Sequence, residues 1–319
     1  MRYSRQEILP EIGSEGQKKL SEKTIAIVGV GAIGTVTSEL AVRAGIGNII
    51  LIDRDVVELN NLQRQLLYNE EDVGKPKALV AERVLKKINS AVKIKSYADD
   101  LNPDNIDFIL KNVDLILDCT DNFETRLLVN DYCVKNHKPW IYSAGIKTQG
   151  TMMVFIPWGP CFRCIFKHPT GLDSCETAGI LASTTTAIAS LQISNAMKML
   201  LGNVVEQSMI RLNVWNNSCE KIKVHKRKTC VACQGIYEYL EGDKISKTLK
   251  MCGGNTYQIK GKEVDLELVR KKIEKTMEVK GDSNFITFHN MTLFKDGRAL
   301  IKANSEKEAK SFYSKFVGN

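Results

Sequence analysis

The stretch TIAIVGVGAIGTVTSELAVRA, residues 24–44, decides the fold. An apolar run, Thr24 to Val28, leads into Gly29, Gly31 and Gly34, and a helix-like stretch follows from Ile33 to Ala44. The glycine triplet G-x-G-x-x-G therefore sits where a strand meets a helix. Glycine there lets the backbone approach phosphate oxygens, and the unpaired N–H groups at the positive end of the helix attract the anion. The next strand-like run, Asn48 to Ile52, ends at Asp53, about where a ribose-binding carboxylate is placed after such glycines. Taken alone, the triplet fits equally a tight strand-to-helix turn without a ligand.

Outward from this stretch, short apolar runs near 24–29, 48–53, 92–97, 113–118 and 139–143 alternate with helical patterns. Alternation of this kind predicts an α/β fold: a Rossmann-like, mostly parallel sheet with helices on both faces. Ligands on such sheets lie beyond the carboxyl ends of the strands, so Gly29, Asp53 and the run Asp118 to Asp121 should converge. After about residue 145 the rhythm changes. A cysteine pair, a loop-like stretch around Pro169 to Thr177, an apolar helix from about Leu181 to Leu201 and two strands follow, near Met209 to Asn216 and Cys219 to His225. The two strands predict an antiparallel extension. The domain layout is a Rossmann-like domain over 1–240, a lysine-rich linker over 241–250 and a small C-terminal α+β module over 251–319. That module is predicted to hold a helix near 264–277, a hairpin turning at Asp296-Gly297 and a last helix near 305–316.

The chain has 319 residues, 43% of them hydrophobic, which suffices for a substantial core. Its net charge of +8 is spread among 37 acids, and the one dense basic cluster, Lys221 to Lys228, lies beside a cysteine pair. A solvated basic edge is expected there, with no direct nucleic-acid binding. No apolar run approaches the roughly 18 residues that cross a bilayer, so no membrane contact and a cytoplasmic location are expected. Nine cysteines in such a chain point to metal binding or thiol chemistry rather than a disulfide framework.

The segment Asp53 to Gln65 is polar and particular in its order. Its acids and amides, including Asn61 and Gln65, suit a ribose, and Arg64 suits a phosphate. In Gly74-Lys75-Pro76-Lys77 the proline fits the first turn of a helix, and Lys77 stands at a helix start, where a cation opposes the dipole unless an anion is present. Asp118-Cys119-Thr120-Asp121-Asn122 closes the fourth predicted strand. An acid facing phosphates held by Arg64 and Lys77 makes electrostatic sense with a magnesium ion between them. As a bare helix cap, Asp121 would be unremarkable. Cys161-x-x-Cys164 and Cys230-x-x-Cys233 have the number and spacing of a four-thiolate structural zinc site, which would contribute about 10 kcal/mol of apparent binding energy. Redox pairs or unrelated buried cysteines are the competing readings.

These motifs, in this order over roughly residues 1–235, resemble the ubiquitin-activating-enzyme-like superfamily, specifically the ThiF, MoeB and HesA proteins. Beyond the motifs above, the resemblance includes the opening Arg2-Tyr3-Ser4-Arg5-Gln6 and the string Asn61-Leu62-Gln63-Arg64-Gln65. It implies ATP-dependent adenylation of the C-terminal glycine carboxylate of a ubiquitin-like sulfur carrier, ThiS-like or MoaD-like and ending in Gly-Gly, with release of pyrophosphate. It further implies that Asp53 holds the ribose, Arg64 and Lys77 the phosphates and Asp121 the magnesium, with Asn122 beside it in the nucleotide site. Arg5 would reach into the partner subunit's site, which implies a homodimer. Cys175 stands where some members bond covalently to the carrier, although its acidic neighbours would raise its pKa. Where relatives usually carry a glycine- and proline-containing turn, this chain has Ala182-Ser183-Thr184-Thr185-Thr186.

Other readings share some of these residues. A nicotinamide-dependent oxidoreductase would use the glycine turn and Asp53, but it leaves Arg64, Lys77, Asp121 and the cysteine pairs unexplained. A non-catalytic adaptor that docks a carrier and a tRNA-modifying dehydratase of the same superfamily complete the alternatives. The four histidines form no Cys-His or Ser-His pattern and read as solvated or structural. Trp140, Trp158 and Trp215 read as core or interface residues. Cys252 lacks the arginine-rich loop of a rhodanese.

Overall fold

The structure is a computed structural model that describes residues 2–166, 178–242, 244, 249–250 and 255–318. Two compact units emerge, Met1–Lys244 and Ile245–Asn319. In the first, two short helices, α1 (Ser4–Glu7) and α2 (Gly13–Glu22), precede β1 (Thr24–Val28), α3 (Ala32–Ala44), β2 (Asn48–Ile52), α4 (Lys77–Ile88), β3 (Lys93–Tyr97), α5 (Ile106–Leu110) and β4 (Leu115–Asp118). Then come α6 (Phe123–Lys135), β5 (Trp140–Ile146), β6 (Gln149–Phe155), α7 (Phe162–Ile165), α8 (Ala182–Leu201), β7 (Ser208–Asn213) and β8 (Ser218–Lys223).

The eight strands form one sheet in the order β3-β2-β1-β4-β5-β6-β7-β8. The five strands from β3 to β5 pair in parallel, and β6, β7 and β8 add antiparallel. Strand order reverses at β1, which has β2 on one side and β4 on the other. That switch point opens the crevice where open α/β sheets bind ligands.

Two-residue periodicity explains why the sheet is covered twice. Ile25 and Ile27 of β1, Leu115 and Leu117 of β4 and Met152 and Val154 of β6 enter one core with residues of α3, α4 and α8. Their neighbours Ala26 and Val28, Ile116, and Met153 and Phe155 enter a second core with α5, α6 and α7. Side chains that alternate faces and are apolar on both must bury both. Each fully buried branched or aromatic side chain contributes about 1.5–3 kcal/mol.

The second unit carries a six-stranded sheet in the order β11-β12-β13-β14-β10-β9, built from β9 (Leu249–Lys250), β10 (Thr256–Ile259), β11 (Lys280–Gly281), β12 (Phe285–Phe288), β13 (Met291–Phe294) and β14 (Ala299–Lys302). Two helices, α9 (Leu266–Ile273) and α10 (Glu306–Phe316), pack on one face of it through Leu266, Ile273, Ala309 and Tyr313. The hairpin at Asp296-Gly297 forms. Gly297 has φ +83°, and a Cβ there would fall 1.7 Å from the Lys262 carbonyl oxygen. The helix expected near 264–277 is shorter, because past Ile273 the chain closes into turns in which Thr276 N–H and Met277 N–H donate to the Ile273 carbonyl. Among the described residues, no helix is long and apolar enough to cross a membrane.

Candidate active site

The glycine turn comes first because its geometry admits no other residue at two of its three positions. Gly29 has φ +86°, and a Cβ on it would lie 2.8 Å from the Cys119 carbonyl oxygen. A Cβ on Gly34 would lie 2.0 Å from the Gly29 carbonyl oxygen. These two glycines bring β1, β4 and α3 together. Gly31 differs: a Cβ there would meet only Gln65 Nε2, at 3.8 Å. Protein packing does not require a glycine at 31, and its lack of a side chain leaves the N-terminus of α3 open.

The turn is held from both sides. Asp53, at the end of β2, accepts from Val30 N–H at 2.6 Å through Oδ2 and from Asp55 N–H at 2.8 Å through Oδ1. The Tyr68 hydroxyl donates to the Val30 carbonyl at 2.7 Å. Burial, and then the neighbouring Asp55 charge, push the Asp53 carboxyl up from 3.8 to about 6. Lys77 and the two N–H groups pull the other way.

Gly74 to Lys77 folds back along the strand end. Lys77 N–H donates to the Asp55 carbonyl at 2.9 Å, and Pro76 is the N-cap of α4 rather than a residue of its first turn. Lys77 therefore opens α4 with its ammonium 3.2 Å from Asp55 Oδ2, although the residue is buried. Burial disfavours its charge, but the carboxylates of Asp55, Asp53 and Asp121 more than offset this and raise its pKa.

These side chains meet around one cavity of about 860 Å³. Gly29, Gly31, Asp53, Arg64, Gln65, Lys77, Asp121 and Asn122 all line it. Gln65 Oε1 is buried there without a hydrogen-bond partner among the described residues. The cavity is also lined by the apolar Tyr142, Ile165, Phe166, Met209, Ile222 and Val224 and by the polar Gln149, Thr151, Arg211, Lys223 and His225. Gly34, Asn61 and Arg5 are not on the cavity wall. Gly34 packs beneath the turn. Asn61 is buried and caps a short 3-10 turn, accepting from Glu58 N–H at 3.2 Å. Asn122 lines the cavity while its Oδ1 caps α6 through Thr125 N–H at 2.8 Å. Arg5 is exposed on α1 and is absent from the cavity wall. Cys175 lies outside the described residues. Ala182 to Thr186 form the first turn of α8, where the Thr185 and Thr186 hydroxyls donate to the Ala182 carbonyl at 2.8 and 3.0 Å.

Sequence reasoning missed several wall residues. Arg54 donates to Asp100 Oδ1 at 2.9 Å, Arg126 is buried against Asp118, and His225, exposed as its solvated or structural reading allows, lies at the cavity's edge. α6 also carries Glu124, Asp131 and Lys135, so charge along the helix did not single out Arg126.

Cys161, Cys164, Cys230 and Cys233 gather with every pair of sulfurs within 4.8 Å, and Cys164 also lines the cavity. The pair 161–230 stands at 3.5 Å, 161–164 at 3.8 Å, 164–233 at 3.7 Å and 161–233 at 3.5 Å. A disulfide needs about 2.05 Å, whereas a tetrahedron with metal–sulfur bonds of about 2.3 Å has edges of about 3.8 Å. Arg227 N–H donates to Cys164 Sγ at 3.5 Å, and hydrogen bonds from Cys161 and Cys230 hold Cys164 far below the usual thiol range. The donor set fits a tetrahedral thiolate-bound metal.

A glycine turn, a carboxylate at the end of β2 and paired cations at a strand switch point define an enzyme of the Rossmann-like, nucleotide-binding class. The family model described as "ThiF family" matches residues 3–233. The chain is 38% identical over 333 residues to the sulfur carrier protein ThiS adenylyltransferase of Bacillus subtilis, covering 99% of each. It is 37% identical over 243 residues to the sulfur carrier protein adenylyltransferase of Thermus thermophilus, covering 73% of this chain and 90% of that one. The crystal structure of E. coli MccB with ATP superposes with a TM-score of 0.65 at 26% identity, covering 73% of both chains. The chain belongs to the ThiF family, and its enzyme class is adenylyltransferase.

Proposed function

We propose that this protein uses ATP and magnesium to adenylate the C-terminal glycine of a ubiquitin-like sulfur carrier ending in Gly-Gly, releasing pyrophosphate. The observation that carries this reading is one cavity that runs from the glycine turn to the apolar side chains of Tyr142, Phe166 and Met209 and the basic Arg211 and Lys223, which suits a nucleotide at one end and an extended chain end at the other. Gly31 and the unsatisfied Gln65 Oε1 leave room and an acceptor for the nucleotide. Asp53 would accept from the ribose. Arg64 and Lys77 would hold the phosphates and offset the repulsion as a carboxylate approaches them, with proximity supplied by binding both substrates in one site. Asp121 is exposed on the wall and would hold magnesium, which supplies charge neutralisation for the departing pyrophosphate.

The four cysteines would hold a structural zinc. Arg5 is presented outward on a helix tied down by its neighbours: Tyr3 accepts from Asn89 Nδ2 at 2.8 Å and Gln6 donates to the Ala44 carbonyl at 2.9 Å. An anchored, exposed arginine outside its own cavity suits a role in a partner subunit's site, hence a homodimer. Cys175 would form a covalent bond to the carrier after adenylation. The name of the B. subtilis relative supports a ThiS-like substrate, and that of the T. thermophilus relative a sulfur carrier protein. Mass spectrometry of a Gly-Gly carrier incubated with the protein, ATP and magnesium tests the reading: a carrier heavier by one AMP is expected, and an unmodified carrier contradicts it. Cys175→Ala should keep that adduct and lose any thiol-reducible one.

A further inference from the structure

Arg126 takes no part in the reading above, yet it is a buried guanidinium on the cavity wall. Its Nε donates to Asp118 Oδ2 at 3.2 Å, and Nη2 donates to the carbonyls of Thr120 and, at 3.3 Å, Ser143. Tyr142 and Phe123 flank its plane, with ring centroids at 5.0 and 5.5 Å. The other oxygen of Asp118 is taken by Thr120 N–H and Oγ1 at 3.0 and 2.7 Å, so this fully buried carboxylate fixes the arginine from behind. Nη1 has no hydrogen-bond partner among the described residues. A guanidinium locked at two corners and unused at the third is a preorganised donor for an anion. Its contacts also place it: Thr120 and Tyr142, which it touches, line the cavity as well.

We propose that Arg126, through Nη1, grips the terminal carboxylate of the incoming protein chain and turns it toward the α-phosphate. This rests on the adenylation reading. In that step one carboxylate oxygen bonds to the α-phosphorus, the bond from that phosphorus to the bridging oxygen breaks, and pyrophosphate leaves with the electron pair. Nothing is oxidised or reduced. Arg126 binds the second carboxylate oxygen, so the first faces phosphorus, and its charge eases the approach of two anions.

Calorimetry with a non-hydrolysable ATP analogue bound tests this, using a ThiS-like carrier ending in Gly-Gly in two forms, free acid and C-terminal amide. The wild type should favour the acid by about 10-fold or more, the size of one charge-assisted hydrogen bond. Arg126→Gln should bind both forms within about twofold while holding the ATP analogue as the wild type does. Arg126→Lys, which keeps the charge, carries the test should the glutamine variant unfold, and a reduced acid preference is expected of it. An undiminished preference in either folded variant overturns the proposal. So does equal loss of ATP and carrier binding in a folded variant, which marks Arg126 as structural. Wild-type protein that binds acid and amide alike sinks this proposal alone, whereas wild-type protein that binds neither sinks the adenylation reading beneath it.

Discussion

Lys77 Nζ lies 3.2 Å from Asp55 Oδ2 inside the cavity wall, so the lysine that opens α4 enters the site already paired and charged. Removing it takes away the cation that lowers the Asp53 carboxyl and leaves Asp55 with Arg54 Nε at 3.9 Å. Lys77→Ala is expected to lower carrier-dependent pyrophosphate exchange by about 100-fold or more, with Lys77→Arg recovering part of it. Steady-state exchange rates beside thermal melts check this. A variant that folds and exchanges normally refutes the role.

Two glycines of one motif should respond differently to the same change. Gly34→Ala forces a methyl to 2.0 Å from the Gly29 carbonyl oxygen and should cost about 2 kcal/mol or more of stability. Gly31→Ala meets only a side-chain nitrogen at 3.8 Å, so its melt should stay near wild type while nucleotide affinity falls about 10-fold. Matched denaturation and nucleotide-binding curves decide the point. Equal loss of stability at both sites would remove the ligand from the explanation.

The Asp53 carboxyl, raised to about 6, gives the site a pH signature. Below about pH 6 a proton occupies it and the acceptor for a ribose hydroxyl is lost, so nucleotide affinity should fall between about pH 7 and 5. Asp53→Asn should bind weakly and flatten that dependence. Stability runs the other way. A carboxyl raised on folding binds its proton more tightly in the native state, so its contribution is greatest below its ordinary value of 3.8 and is lost as pH rises through 6. Unfolding midpoints of wild type and Asp53→Asn should therefore draw closer toward acid pH.

Four sulfurs at tetrahedral spacing predict about one zinc per chain by elemental analysis. Cys161→Ser or a strong chelator should release the metal and lower the melting temperature. Metal-free protein that melts as the native protein does would leave the cluster without a structural role.

The sequence made legible what local rules govern. Apolar alternation in β1, β4 and β6, the glycines that no side chain can replace and the spacing of the cysteine pairs each follow from near neighbours along the chain. The surroundings of Arg126 do not, since β4, the loop after it and β5 supply its partners from separate stretches. The capping work of Asn61 and Asn122 was hidden because an amide that suits a ribose suits a backbone N–H equally well. Trp140 is buried, but Trp158 and Trp215 are exposed, and Trp158 stacks on His137 with centroids 4.3 Å apart. Composition alone does not separate a core tryptophan from a surface one.

Exchange of radiolabelled pyrophosphate into ATP tests the central claim most directly. It is run with this protein, magnesium and a sulfur carrier, intact or lacking its last glycine. Exchange that requires the intact carrier is the predicted result. No exchange with any Gly-Gly carrier encoded beside this protein, or equal exchange with the shortened one, would contradict the account.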